Sequence, residues 1–224
     1  AYYDCDGVLL QVIPLEDGLR REYTPIKEIP PSVRKAFVKS EDKRFYFHCG
    51  IDFISLGGAL VQNAKAGKTV RGASTITMQI VKMMNPDAPR TKQQKIKEIF
   101  EALKIEARLS KRQILELYLN SVPFGNNTEG VTSAARIIYG KELNQLTEKQ
   151  IETLAKIPRR PSSYNPILTK EIKPFIFPND FPHYIRYLEN QPKIEKNRTY
   201  KKKLSVSKSL QAYAEGQLRT ALEQ

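Results

Sequence analysis

The ten residues EDKRFYFHCG, from Glu41 to Gly50, contain the densest group of side chains in the sequence that could do acid–base chemistry. Two carboxylates, two cations and three aromatic rings stand beside one of the two histidines. A carboxylate kept partly from water can exchange a proton with a substrate. The block also fits a helix end with solvated charges and core aromatics, so both interpretations stay open. The other histidine, His183, lies in a proline-rich segment, and a paired-histidine metal site is therefore not expected.

A second block, RGASTITMQIVK, runs from Arg71 to Lys82 and places small residues before hydroxyl side chains. If Ser74 and Thr75 start a helix, its free backbone N–H groups and its dipole could bind an anion. Gln79 lies about one turn before Lys82 and would extend that site. An ordinary serine-capped helix is the simpler alternative, and the Gly-Lys-Ser/Thr ending of a Walker loop is absent.

A third block contains Arg90, Lys95, Lys97 and Glu98. Lys95 and Glu98 are three residues apart and share a helix face. On a surface this is an ion pair that contributes at most about 1 kcal/mol. In a binding site, the same cation and carboxylate could hold a pyrophosphate directly or through a divalent ion.

The apolar spacing around these blocks is mostly helical. The clearest helix is predicted from about Thr91 to Leu109, with Ser110 capping the next one. The capping box Thr147–Gln150 opens a further helix that ends before Pro158. Turn-forming Asp-Gly pairs near the start predict a small β-hairpin. Helices this frequent predict a mainly α fold.

Composition changes divide the chain into three expected parts. These are an N-terminal hairpin and linker over residues 1–30, a main domain over 31–168, and a proline-rich basic linker over 169–224. A helical pattern resumes from Leu210 to Leu222. No run of about 18 apolar residues occurs, and the chain starts with Ala1 rather than Met. We therefore expect the natural protein to continue beyond this sequence and to carry a membrane anchor.

The formal net charge of +13 favours an anionic partner, which could be nucleic acid, a lipid surface or a phosphate-bearing substrate. A nucleic-acid module explains the charge but not the carboxylates Glu41, Asp42 and Glu98, and no nucleic-acid motif is present. We expect no nucleic-acid partner. The apolar residues Ile80, Val81, Met83 and Met84 fit either a face that dips into an anionic bilayer or a buried helix face. The two cysteines, Cys5 and Cys49, lie far apart in the sequence and do not decide the redox compartment.

Five motifs, in this order, resemble those of the peptidoglycan glycosyltransferases of family 51, the transglycosylase domains of class A penicillin-binding proteins. EDKRFYFHCG is similar to the family's E-D-x-x-F-x-x-H-x-G, GASTITMQ to G-x-S-T-I-T-x-Q, and KIKE to R-K-x-x-E. KRQILELYLN and LAKIPRRPSSYNP resemble the fourth and fifth motifs. The similarity spans about Pro30 to Pro166, and five ordered motifs make a chance match very improbable.

The resemblance implies a lysozyme-like fold of two lobes around a groove that binds lipid II and the nascent glycan strand. It implies that Glu41 is the general base of an inverting transfer that releases undecaprenyl pyrophosphate, with Glu98 as the second carboxylate and a candidate ligand of Mg²⁺ or another divalent cation. No organic cofactor is implied. The positions implied for substrate or pyrophosphate binding are Asp42, Arg44, Ser74, Thr75, Gln79, Lys82, Arg90, Lys95 and Lys97. Those implied to be structural are Phe45, His48, Gly50, Glu116 and Asn120.

The resemblance also places the protein on the periplasmic, extracytoplasmic face of the cytoplasmic membrane, with a C-terminal transpeptidase domain in the full-length protein. The chain departs from the pattern at two positions. Gly58 stands where the family usually has an arginine, and Gln94 replaces the arginine before Lys95, which would weaken phosphate or acceptor binding if nothing compensates. A lysozyme-like hydrolase is the nearest alternative, since one glutamate in a groove serves both reactions. The cluster of cations favours a pyrophosphate leaving group and thus the transferase.

Overall fold

The computed structural model describes residues 2–6, 9–11, 18–67, 74–89, 91–175, 202–205 and 207–213. Contacts divide the chain into two compact units. One comprises Leu19–Phe175, and the other combines Ala1–Gly18 with Ile176–Gln224. The predicted boundaries at residues 30 and 168 stay predictions, because the units follow contacts and the predictions followed composition.

Within the described residues, helical residues far outnumber strand residues, which confirms the mainly α prediction. The helical content is consistent with the lysozyme-like domain that the resemblance implies. The helices are α1 (Pro31–Glu41), α2 (Phe53–Ala66), α3 (Ile76–Met84), α4 (Lys92–Arg108), α5 (Lys111–Ser121), α6 (Val131–Tyr139), α7 (Glu148–Lys156) and α8 (Pro161–Tyr164), with short 3₁₀ helices at Phe45–Phe47, Leu143–Gln145 and Ile157–Arg159. The strands are β1 (Tyr2–Tyr3), β2 (Leu9–Gln11), β3 (Arg20–Arg21), β4 (Pro123–Gly125), β5 (Thr128–Glu129) and β6 (Lys202–Lys203).

Local capping explains where three helices of the larger unit begin. The Thr91 hydroxyl accepts a hydrogen bond from a backbone N–H in the first turn of α4. Ser110 and Gln113 form a reciprocal capping box at α5, and Thr147 and Gln150 form another at α7. These side chains satisfy N–H groups that have no partner inside a helix. The predicted helix starts after Thr91, Ser110 and Thr147 are confirmed.

The core of the larger unit forms where α1 packs on α7 and α3 packs on both α4 and α5. Phe37 is fully buried on α1, and its ring meets those of Tyr118 and Phe124 edge-on, with centroids 6.5 and 6.1 Å apart. Edge-to-face aromatic pairs add to the free energy gained from area burial. This packing sets the end of α1 against the start of α3, where the candidate site lies.

A polar pair on α5 fixes the segment that precedes α1. Asn120 accepts from the Thr24 N–H at 2.7 Å and donates to the Thr24 carbonyl at 2.9 Å. One turn earlier, Glu116 accepts from the Ile26 N–H at 2.9 Å and from the Tyr23 hydroxyl. Both side chains therefore attach the chain entering α1 to α5, which agrees with the structural role implied for them.

The smaller unit contains a three-stranded sheet in the order β2-β1-β6. The pair β1 and β2 is antiparallel, which confirms the predicted hairpin, and β6 adds in parallel with Tyr2 opposite Lys202. Tyr2 and Leu10 are buried and pack with Leu204. Residues 208–213 are helical, and the rest of the helix predicted to Leu222 lies outside the described residues. The C-terminal strand was not predicted, because its partner is almost the whole chain away in sequence.

None of the described helices combines the length and the apolar character that crossing a bilayer requires.

The Asn120 contacts predict a large loss of stability on truncation. Asn120→Ala would leave the buried N–H and carbonyl of Thr24 without their partners, and we expect the free energy of unfolding to fall by about 3 kcal/mol. Asn144→Ala, an exposed asparagine in a 3₁₀ helix, serves as the control and should change it by less than about 0.5 kcal/mol. Urea unfolding followed by circular dichroism measures both, and equal effects would contradict the structural role of Asn120.

Candidate active site

Glu41 ends α1, and its side chain is only 5% exposed. Gln79 Nε2 donates to one carboxylate oxygen at 3.0 Å, and Arg159 Nε donates to the other at 3.1 Å. These contacts give both oxygens of the largely buried carboxylate a hydrogen-bond partner. The acid is thus fixed from α3 on one side and from the 3₁₀ helix Ile157–Arg159 on the other, and it does not point into bulk solvent.

A second residue orients the Gln79 amide. The Tyr118 hydroxyl donates to Gln79 Oε1 at 3.3 Å. Burial raises the pKa of Tyr118 well above its usual value, and the negative charge of Glu41 raises it further. The phenol therefore keeps its proton and acts as a donor, so the amide oxygen faces Tyr118 and the amide N–H faces Glu41. A directional chain runs from Tyr118 through Gln79 to Glu41.

The neighbouring acid, Asp42, has a different environment. Its side chain is 2% exposed and accepts from the Ile76 backbone N–H at 3.0 Å and from His48 Nε2 at 3.0 Å. His48 Nδ1 accepts from the Gly50 N–H at 3.1 Å, so the proton of a neutral ring sits on Nε2. The sequence predicts substrate contacts for Asp42. The structure places its carboxylate inside the scaffold, where it anchors the first turn of α3, and the substrate contact stays a prediction.

Thr75 also joins the start of α3 to the segment from Glu41 to Gly50. It is buried, caps α3 by accepting from the Met78 N–H, and donates to the Gly50 carbonyl at 2.7 Å. The Thr75 hydroxyl is thus engaged in the scaffold, and the substrate contact predicted for it stays a prediction. Gly50 has φ +96°, and a β-carbon there would lie 3.1 Å from the Ala102 carbonyl oxygen. Only glycine fits here, where the segment from Glu41 to Gly50 packs closely against α4.

Phe45 and Arg44 also serve the scaffold. Phe45 is fully buried, and Lys111 Nζ lies 4.5 Å above its ring centre. Arg44 Nε donates to Asp52 at 3.0 Å, and its Nη2 contacts both Asp52 and Ser55. Asp52 in turn caps α2. The guanidinium is engaged in this ion pair, so the pyrophosphate contact predicted for Arg44 remains a prediction.

The second and third sequence blocks meet at Lys95. Its Nζ donates to Ser74 Oγ at 3.0 Å and to Glu98 Oε2 at 2.8 Å. The lysine side chain is 44% exposed and that of Glu98 is 13% exposed, so the cation can reach a ligand while the acid steadies it. The structure thus brings together the start of α3 and the first turns of α4, as an anion site would require.

The remaining predicted cations are less constrained. Lys82, at the end of α3, and Lys97, on α4, are both exposed. Lys97 and Glu98 line a cleft of about 380 Å³ between these helices. Arg90 and residues 71–73 lie outside the described residues.

The two departures from the family pattern lie on different helices. Gly58 lies in α2 and Gln94 in the first turn of α4, both half-buried. Gln94 lines the cleft of about 380 Å³ together with Lys97 and Glu98.

The described residues contain no group of three or more His, Cys, Asp or Glu side chains that could hold a metal ion. Glu98 offers one carboxylate, already paired with Lys95. Mg²⁺ can bind through one carboxylate when substrate phosphates supply further oxygens. A divalent cation at Glu98 therefore stays a prediction that depends on the ligand.

Sequence reasoning missed two members of the site, Arg159 and Tyr118. Arg159 stands in the fifth motif beside Arg160, and this basic pair after a capped helix was a usable signal. Tyr118 occupies an apolar position of α5, and apart from its phenol group nothing in the sequence marked it as a member of the site. Neither contact with the Glu41 network is local, because 118 residues separate Arg159 from Glu41 and 39 separate Tyr118 from Gln79.

The profile of the Transglycosylase family matches residues 6–174. This chain belongs to the transglycosylase family. The membership confirms the resemblance drawn from the five motifs, and the match covers nearly all of the larger unit together with part of the N-terminal segment.

Relatives of this transglycosylase include penicillin-binding protein 1A of Neisseria cinerea, 41% identical over 169 residues that make up 75% of this chain and 21% of that protein. Penicillin-binding protein 1A of Aquifex aeolicus is 39% identical over 75% of this chain and 23% of its own length. The chain spans about a fifth of the length of the curated relatives that it matches. A crystal structure of penicillin-binding protein 1A from Haemophilus influenzae covers 76% of this chain and 15% of that chain, with 21% identity and a TM-score of 0.38.

The Arg44–Asp52 pair predicts a pH dependence of stability. Burial alone raises the pKa of Asp52, but hydrogen bonds from Arg44 and Ser55 outweigh it and hold that pKa well below its usual value. Ionised Asp52 therefore stabilises the fold above its unfolded-state pKa of about 3.9, and this contribution is lost as the pH falls below that value. We expect Asp52→Asn, which keeps a capping side chain, to be less stable than the wild type near neutral pH and to lose less stability on acidification.

Urea unfolding at a series of pH values from about 6 to about 3 measures this difference. Asp87→Asn, at an exposed position, is the control and should follow the wild-type curve. Parallel curves for wild type and Asp52→Asn would show that the ion pair contributes nothing to the acid dependence.

Proposed function

We propose that this chain is a peptidoglycan glycosyltransferase that polymerises lipid II into β-1,4-linked glycan strands and releases undecaprenyl pyrophosphate. The observation that carries the proposal is the Glu41 carboxylate, 5% exposed and fixed by Gln79 and Arg159. The cluster in which Lys95 of α4 donates to Ser74 and Glu98 supports the proposal. Membership of the transglycosylase family agrees with both.

In the proposed reaction, Glu41 is the general base. It accepts the proton of the acceptor sugar's 4-hydroxyl while that oxygen forms a bond to C1 of the growing strand. The bond from C1 to the pyrophosphate oxygen breaks, its electron pair leaves with the pyrophosphate, and the configuration at C1 inverts. Arg159 and Gln79 hold the carboxylate in position before the reaction.

The departing pyrophosphate develops negative charge, and cations placed in advance stabilise that charge without reorganising. Lys95 is the best-supported group for this task, because Ser74 and Glu98 fix its position. Exposed Lys82 and Lys97, and Arg90, are proposed to add to it. Mg²⁺ at Glu98 is retained as a proposal, and no step of the reaction depends on it.

The membrane surface is the proposed location of the substrate, on the periplasmic face. Ile80 and Val81 are 2% and 3% exposed, so they belong to a buried helix face rather than to a membrane-facing one. Met84, at the end of the same helix, is 68% exposed. Several large apolar side chains on α2 and α4 are exposed and would suit contact with lipid. They are Phe53, Ile54, Val61, Ile96 and Phe100. The nascent strand and a C-terminal transpeptidase domain are the other proposed partners, and we propose no nucleic-acid partner.

Replacing the base tests the mechanism directly. Glu41→Gln keeps the shape and can no longer accept the proton, so we expect polymerisation of labelled lipid II to slow by about 100- to 10,000-fold. Glu152→Gln, an exposed glutamate on α7, should retain wild-type activity. Moenomycin, the phosphoglycolipid inhibitor of the family, verifies that the polymer comes from this enzyme. Full activity of Glu41→Gln would remove Glu41 from its role.

The products decide between transferase and hydrolase. The proposal expects glycan polymer and lipid pyrophosphate from lipid II. Release of soluble sugar fragments from preformed wall, without polymer formation, would instead support the hydrolase.

A matched pair of lysines on α4 tests the leaving-group site. Lys95 pairs with Glu98 and Lys104 pairs with Glu101, each three residues apart. Lys95→Met removes the cation next to the proposed pyrophosphate, and we expect kcat to fall on the order of 100-fold. Lys104→Met removes an equivalent surface pair and should leave kcat unchanged. Equal effects would show that Lys95 acts only through the stability of α4.

A further inference from the structure

A second basic site lies on α1 and the 3₁₀ helix after it. Its cleft measures about 520 Å³, within the range of small-ligand sites. The cations lining it are Arg34, Lys35, Lys39 and Lys43, and the lining also includes Val38 and Tyr46. Among the residues that the structure describes, no carboxylate lines the cleft, and none of the lining residues takes part in the proposed reaction.

The charge of this cleft is uncompensated within the part of the chain that the structure describes. No salt bridge there involves any of the four cations, although Arg44, Lys95, Lys104 and Lys111 of the same unit each pair with an acid. Grouping like charges without a counter-ion costs free energy. A bound anion would remove that cost.

Arg34 supplies a second observation. Its Nε is buried, and no described residue accepts a hydrogen bond from it. Buried polar groups nearly always have a partner, which can be water or an ion. The neighbouring Tyr46 also lines the cleft and is 57% exposed.

We propose that this cleft binds a phosphate group, as a site separate from the pyrophosphate site at Lys95. Four cations in one cleft match an anion that carries more than one charge. A guanidinium fork fits the tetrahedral oxygens of phosphate, and the lysines act as point charges around it. The phosphate belongs either to a lipid headgroup or to a soluble phosphate compound, and both present the same chemistry.

The test follows the Arg34 side chain by NMR, in the whole chain of 224 residues. Its Nε–H resonance is identified by its loss in Arg34→Lys. Inorganic pyrophosphate should shift this resonance saturably, and added salt should weaken the binding. The shift should persist in Lys95→Met, so the result does not depend on the reaction proposed above. A resonance that stays unmoved would overturn the proposal.

Two double variants separate the cleft from general charge. Lys39→Gln with Lys43→Gln should weaken pyrophosphate binding roughly tenfold. Lys149→Gln with Lys173→Gln removes two exposed lysines outside the cleft and should not change it. Amide spectra confirm that both proteins remain folded. Equal weakening in the two variants would show unspecific attraction and overturn the proposal.

Vesicles distinguish the two sources of phosphate. Cosedimentation is measured with phosphatidylcholine vesicles that contain or lack phosphatidylglycerol. A loss of phosphatidylglycerol-dependent binding in the Lys39, Lys43 variant, but not in the control pair, assigns the cleft to a lipid headgroup. Unchanged vesicle binding together with a weakened pyrophosphate titration assigns it to a soluble phosphate.

Discussion

The candidate site depends on keeping one negative charge, that of Glu41, mostly away from water. Such a charge is stable only when hydrogen bonds and an opposite charge replace the lost hydration. Gln79 and Arg159 supply them from two different elements, and Tyr118 fixes the direction of the Gln79 amide. The end of α1, the first turns of α3 and the 3₁₀ helix before α8 must therefore keep their relative positions for the proposed base to stay in place.

Asp42 sets one of those positions. Asp42 is adjacent in sequence to Glu41, but its carboxylate has a structural role. It accepts hydrogen bonds from the Ile76 N–H and from His48 inside the scaffold. Thr75 and Gly50 complete the junction through the hydrogen bond that joins them. The two neighbouring acids thus divide the work between them. Asp42 holds the helix that carries Gln79, and Glu41 is the acid proposed to act in the reaction.

The cations of the larger unit fall into groups with different electrostatic roles. Arg44 and Lys111 are paired with acids and stabilise the scaffold, whereas Lys95 is paired and still 44% exposed, so it can reach a ligand. The cleft on α1 contains a third group that is not neutralised by described residues. The positive charges of the larger unit are therefore not spread evenly over its surface. Its placement separates structural pairs from sites that would attract phosphate.

The sequence by itself determined the local features. Thr91, Ser110 and Thr147 begin helices because a capping side chain needs only the N–H groups two or three residues ahead, and the motif order indicated the family and Glu41. Tertiary structure alone decided that Arg159 meets Glu41, that Thr75 is buried, and that Arg44 is taken by Asp52. Hydrogen bonds between distant segments exist only once packing has brought those segments together, and the spacing of residues along the chain carries no record of that packing.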